Sequence, residues 1–182
     1  MLKIAKVLVV TFLLSVTLAG CIFAPYHKTA YYDLSVEPVR LAAAANVKVS
    51  EFDNESGAGS KIRIRINKYR IVDAGYSKWI QTPGELLMRS LNKAFAVNYT
   101  TDAPACEIYG TLDTFEVKLD KMQFAISGFY TIRRGKSRLD RQFDISVGLK
   151  EKSPVEYARA ASAAVNQLGK ELAVEINKIL KK

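Results

Sequence analysis

Alternation between apolar and polar positions dominates the chain from residue 47 onward. The stretch "VKVSEFDN", residues 47–54, alternates and then breaks into a polar loop with glycines, "ESGAGS". In "KIRIRINKY" the alternation is strict: Ile62, Ile64 and Ile66 fall on one face, and Lys61, Arg63 and Arg65 on the other. A period of two this regular predicts a strand with one face buried and one face wet, and excludes a central strand buried on both faces. In "RIVDAGYSKWIQ", Asp73-Ala74-Gly75 predicts a turn or bulge in place of a long ladder. Farther on, Ile108, Gly110 and Leu112 keep one parity and Phe115, Val117 and Leu119 the other, which predicts a bulge near Asp113-Thr114. "MQFAISGFYTIRR" and "RLDRQFDISVGLK" both alternate and flank "RGKS", a hairpin turn. In the second of these, Leu139, Phe143, Ile145, Val147 and Leu149 hold parity and Arg141 interrupts it. Nearer the start, "YYDLSV", residues 31–36, reads as a first strand, and "VRLAAAA" fits either one helical turn or a link.

Two segments switch to helical spacing. Thr82-Pro83-Gly84-Glu85 opens the first: threonine caps, proline suits the first turn, and glutamate three residues after the cap completes a capping box. Leu87, Leu91 and Phe95, joined by Met88, then predict a helix over residues 83–97. Ser153-Pro154-Val155-Glu156 is a second capping box. It opens a long helix, residues 154–180, with Ala161, Val165, Leu168, Leu172, Ile176 and Ile179 on one stripe. Lys178, Lys181 and Lys182 suit its C-terminal end. The predicted fold is therefore α+β, an α/β sandwich: a mixed or antiparallel sheet of about five to seven strands with two helices on one face, the second C-terminal. No internal repeat is visible.

The first 20 residues follow different rules. Two lysines precede a short apolar run, "VLVVTFLL", about half the ~20 residues that a membrane-spanning helix needs. A basic start, a short apolar core and a small-residue exit make a secretory signal. The exit, Leu18-Ala19-Gly20-Cys21, matches a bacterial lipobox, with cleavage between Gly20 and Cys21 and a diacylglyceryl and N-acyl lipid on Cys21. Two or three acyl chains hold a protein stably where one does so only marginally. The expected organisation is a cleaved signal at 1–20, a lipidated tether at 21–30 and one domain at 31–182. Pro25 breaks any helix in the tether, and its nine residues after Cys21 reach about 30 Å when extended. Ile22 in place of Asp after the lipidated cysteine favours the outer membrane, by resemblance to Gram-negative lipoproteins.

Removing 20 of the 182 residues leaves 162, and takes Lys3 and Lys6 with them, so 25 basic side chains face 18 acidic ones, a balance of +7. In an exported protein that charge suits anionic headgroups or an acidic partner, and an anchored protein of this kind does not meet nucleic acid. Once Cys21 is lipidated, Cys106 has no intrachain partner, and its place before an alternating stretch fits a small buried hydrophobe. The single histidine, His27, lies in the tether, which leaves no Ser-His-Asp or Cys-His site and no HExxH or Cys/His zinc spacing. "SGAGS" lacks the Gly-Lys-Ser/Thr ending of a P-loop. The sequence predicts neither an enzyme nor a metal or cofactor beyond the covalent lipid. Trp79, with Tyr76 nearby, reads as a core plug or as part of a lipid or partner contact. Lys61, Arg63 and Arg65, and Arg133, Arg134, Lys136 and Arg138, read as solvated face and turn, or as a contact with acidic lipid or an acidic partner.

The order of parts, lipobox, then "YYDL", then a strand and loop, then "YSKWIQTPGELLMRSL", resembles the ABC-type transport auxiliary lipoproteins, the outer-membrane partners of MCE-domain lipid transporters, paraquat-inducible systems included. The resemblance rests on Tyr32 and Leu34, on Trp79 followed by Pro83, and on the alanine-rich C-terminal helix. "IRIRINKYRIV" departs from it in being more basic. The resemblance implies a non-enzymatic, lipid-anchored subunit on the periplasmic side of the outer membrane. Its partners would be an MCE-domain protein with its permease and ATPase, phospholipid, and a second copy of itself. The alternatives are an envelope lipoprotein that regulates cell-wall synthesis or outer-membrane assembly by protein binding, and a carrier that holds lipid itself.

Overall fold

The computed structural model describes residues 27–181. Seven strands form one mixed sheet: β1 (Ala30–Tyr32), β2 (Asn46–Asn54), β3 (Lys61–Arg65), β4 (Ile71–Trp79), β5 (Ala105–Lys118), β6 (Gln123–Arg134) and β7 (Ser137–Gly148). Helices α1 (Pro83–Phe95) and α2 (Pro154–Leu180) cover one face. The fold class is the one the periodicity predicts.

β5 is the spine. On one edge it pairs antiparallel with β6, which pairs antiparallel with β7. Its other edge is shared end to end by two parallel strands, β2 from Ala105 to Leu112 and β3 from Glu116 to Lys118. The register of β5 slips between Leu112 and Thr114, as the parity change predicts, and the slip falls where β2 gives way to β3. β4 extends the sheet beyond β3, and β1 closes that edge, parallel to β4. The "RGKS" hairpin also stands: Arg134 lies opposite Ser137, and Gly135 has φ 56°, a left-handed conformation that glycine adopts without a Cβ penalty.

The core lies between sheet and helices. Every residue of the predicted α2 stripe is buried, against Ile126, Ile132, Phe143 and Ile145 of the sheet. α1 rides on β2 at close range, because Gly84 leaves no Cβ; one built there would stand 2.2 Å from the Phe52 carbonyl oxygen. Asn92 of α1 grips β2 from its open side. Its carboxamide accepts from the Val49 N–H (2.9 Å) and donates to the Val49 carbonyl (2.8 Å), beside a β2 bulge. An edge that could pair with another chain is closed in this way.

Several details differ from the expectations. β1 stops at Tyr32, and residues 33–45 leave the sheet as an extended strap between the two helices. Its backbone bonds go to side chains. Ser35 N–H donates to Ser162 Oγ (3.0 Å), Glu37 N–H to Asn166 (2.9 Å) and Ala42 N–H to Asn177 (3.0 Å), along α2. From α1's side, Val39 N–H donates to the Ala94 carbonyl and Leu41 N–H to Asn98. Extended chain advances about 3.3 Å per residue and a helix 1.5 Å, so five strap residues match eleven helical ones. That is the spacing from Glu37 to Ala42 against Asn166 to Asn177. Leu34, Val39 and Ala45 are buried along the strap, Val39 beside Gly169 of α2 and Leu91 of α1.

β4 is one continuous strand, and the bulge predicted near Gly75 lies inside it. Gly75 has φ 57°, the pairing with β3 jumps from Lys61–Lys78 to Arg63–Asp73, and β1 pairs beyond the jump. α1 ends at Phe95, and residues Ala96–Asn98 tighten into a 3₁₀ turn. At the second capping box only one half forms as predicted: Ser153 Oγ accepts from Glu156 N–H, whereas the Glu156 carboxylate turns to Lys150 N–H and Arg159.

Candidate binding surfaces

The face of the sheet away from the helices is polar and holds most of the basic residues singled out by the sequence. All but Lys136, which is exposed in the β6–β7 turn, are engaged within the protein, Arg138 through Asp140. Lys61 pairs with Asp73 at 2.7 Å across β3 and β4. Arg63 donates to the Ser56 carbonyl and so holds the 55–60 loop. Arg65 makes a two-pronged pair with Glu116 (2.5 and 3.0 Å), whose side chain is only 7% exposed. The carboxylate beside it, with Asp120 adding a smaller share, raises the Arg65 pKa, so the guanidinium stays charged. At the opposite end of β5, Arg133 pairs with Glu107, and that bond, made to an ionised partner, lowers the Glu107 pKa. Arg134 points to the other face and donates to the carbonyls of Ile179 and Leu180, capping α2. Thus the two basic groups sit nine residues of β5 apart, about 30 Å, and the structure does not bring them together.

Trp79 is wholly buried. It meets Phe115 and Phe124 edge-on, with centroids 5.3 and 6.1 Å away, and the two phenylalanines meet at 4.9 Å in the same manner. The indole N–H has no acceptor among the described residues. Tyr76 is 55% exposed and stacks on His27 at 4.6 Å. Cys106 is buried, and burial raises its pKa despite the nearby Arg134, which makes it a poor nucleophile. Cys21 and Gly20 lie outside the described residues.

Sequence reasoning passed over a cluster at the end of the sheet where β3 and β5 finish. An open cleft of about 410 Å³ there is lined by Arg65, Lys68, Thr114, Glu116, Lys118, Asp120 and Lys121. Beside it the β3–β4 hairpin tip holds up Tyr69, 88% exposed, with the Lys68 ammonium 5.4 Å from its ring centre. Asn67 shapes the tip by accepting from the N–H groups of Tyr69 and Arg70. The signal was present in "IRIRINKYRIV": two cations flanking a tyrosine directly after the alternating strand. Among the described residues, no group of three His, Cys, Asp or Glu side chains is placed to hold a metal, and no helix is long and apolar enough to cross a membrane.

The architecture defines a class: a mixed sheet faced by two helices on one side. Two solved structures share this fold. One is a Xanthomonas campestris protein described under the family model DUF330, with a TM-score of 0.69 at 15% identity, covering 85% of this chain and all of the other. The other is an uncharacterised protein with a TM-score of 0.67 at 14% identity, covering 82% of this chain and 99% of its own. At these identities the likeness establishes the fold. No protein-family model matches the sequence, and no curated protein matches it.

Proposed function

We propose that the protein is a lipoprotein of the bacterial envelope, anchored through Cys21 to the outer membrane. There it acts by binding, as an accessory subunit of an MCE-type ABC system for phospholipid. It would dock the periplasmic MCE assembly against the membrane, so that lipid passes without exposing its chains to water, where each methylene costs ~0.8 kcal/mol.

The observation that carries this reading is the lipobox Leu18–Cys21 set only nine residues before Ala30, where β1 begins. A tether that short keeps the domain at the bilayer. The residues behind the family resemblance also lie at the joints of the fold. Tyr32 and Leu34 bracket the exit from β1 into the strap, Trp79 and Pro83 bracket the passage from β4 to α1, and the alanine-rich helix is α2.

The test is a pull-down of the intact lipoprotein from detergent-solubilised envelopes, with mass spectrometry of what accompanies it. Enrichment of an MCE-domain protein over a mock control is the expected result. Its reproducible absence, with a cell-wall synthase in its place, would sink the transport reading and favour a regulator of wall synthesis.

A further inference from the structure

The direction in which the chain reaches the sheet identifies the end nearest the bilayer. β1 runs parallel to β4, with Ala30 opposite Ser77, so the chain arrives from the side where β4 begins. His27, stacked on Tyr76, continues that line. Three loops are knit together on this side. Leu119 N–H donates to the Arg65 carbonyl (2.9 Å), joining the β5–β6 turn to the β3–β4 hairpin, and Leu149 N–H donates to the Met122 carbonyl (2.8 Å), joining the segment before α2.

The charge of these loops differs from that of the sheet face. Lys68, Arg70, Lys118, Lys121, Lys150 and Lys152 form no ion pair among the described residues; of the acidic residues beside them, Glu116 and Glu156 are paired with Arg65 and Arg159, which leaves Asp120 and Glu151. On the sheet face Lys61, Arg65 and Arg133 are all neutralised. Tyr69 stands at the tip of this end, and Val155, 68% exposed, lies at the start of α2 on the same side. Tyrosine settles at the headgroup level of a bilayer, and clustered cations are drawn to anionic headgroups within a Debye length, ~8 Å at physiological salt.

Reach agrees with this placement. His27 stacks on Tyr76, six residues and so about 20 Å along the strand direction from Arg70 at the hairpin tip, and a chain of the six residues from Cys21 to His27 can reach at most about 20 Å. We propose that the hairpin tip at 66–70, the turn at 119–122 and the loop at 149–153 form a seat that rests on anionic phospholipid headgroups, standing the sheet upright on the membrane. This rests on lipidation of Cys21.

The test uses the intact lipoprotein in vesicles of phosphatidylglycerol and phosphatidylethanolamine, labelled with an environment-sensitive dye at Tyr69→Cys or, at the far hairpin, Lys136→Cys. Cys106 is buried and does not compete for the dye. Lipid carrying a quencher near the headgroup is expected to quench the Tyr69 label several-fold more than the Lys136 label. Adding Lys118→Glu and Lys121→Glu, or changing to phosphatidylcholine, should abolish the difference. Equal quenching of both labels, or quenching of neither while the protein floats with the vesicles, overturns the seat and leaves the anchor standing. Failure to float overturns the anchor, and the seat with it.

Discussion

Glu156 shows how a residue chosen as a helix cap takes on another task. Its carboxylate accepts from Arg159 (2.6 and 2.7 Å) and from the Lys150 backbone (2.7 Å), tying the start of α2 to the end of β7. The Arg159 hydrogen bonds first, and the Lys150 bond second, hold its pKa down to about 2. A depressed carboxylate stabilises the fold fully above its unfolded value, about 4.3 for glutamate, and the contribution fades as pH falls toward the folded value. Glu156→Gln should therefore unfold at lower urea than the wild type near neutral pH, and the gap between the midpoints should close between about pH 4 and about pH 2. A gap that is constant with pH would mean the charge contributes nothing. Arg65 and Glu116 make the same point about alternation: the pattern places Arg65 on the wet face but does not reveal the acid waiting on β5.

At the scale of elements, the contact of α1 with β2 is set by Gly84. A methyl group there meets a backbone carbonyl, which cannot turn aside, so the helix must lift. Gly84→Ala is expected to destabilise by about 1–3 kcal/mol, as overpacking does. Gly169→Ala on α2 is the useful comparison, because its Cβ would stand 3.2 Å from a Val39 methyl and 3.7 Å from Leu91. There a gain in helix propensity of about 1 kcal/mol offsets the crowding, and the midpoint should barely move. Urea titrations of both variants check the pair.

The strands and helices that alternate or recur cleanly were legible, including the β5 bulge at Asp113, the Gly135 hairpin and the whole length of α2. The strap was not. "YYDLSV" looks like a strand because extended chain between two helices buries every second side chain just as a strand does. What differs is who supplies the hydrogen bonds, and Ser162, Asn166 and Asn177 are more than a hundred residues away. Of the nine residues proposed from sequence as contacts, Tyr76 and Lys136 are exposed, Trp79 is sealed in the core, and the other six basic residues are bonded within the protein. Charge is visible in a sequence; its neutralisation across a sheet is not. The hairpin tip with Lys68, Tyr69 and Arg70 was written in the chain but was absorbed into the strand before it.

For the molecule as a whole, the strap joins the start of the domain to its last helix. Asn177→Ala and Asn166→Ala should leave the stability within about 1 kcal/mol of the wild type, since the first removes one exposed hydrogen bond and the second two, one of them long at 3.4 Å. The backbone amides of Ala42 and Glu37, respectively, should lose protection from hydrogen exchange, read by NMR, while those of β5 and β6 keep theirs. Loss of protection throughout would instead show that the strap governs global unfolding.

That same strap sets a timetable. A polypeptide is made from its N-terminus, and Ser35, Glu37 and Ala42 must wait for partners 127, 129 and 135 residues behind them. Until α2 has been synthesised, the N–H groups of these residues have only water to bond with, and the groove that holds Leu34 and Val39 lacks one wall. The β5–β6–β7 meander can close as soon as it emerges, but the first residues of the domain are among the last to find their places. A chain cut short within α2 is left with its beginning unfastened.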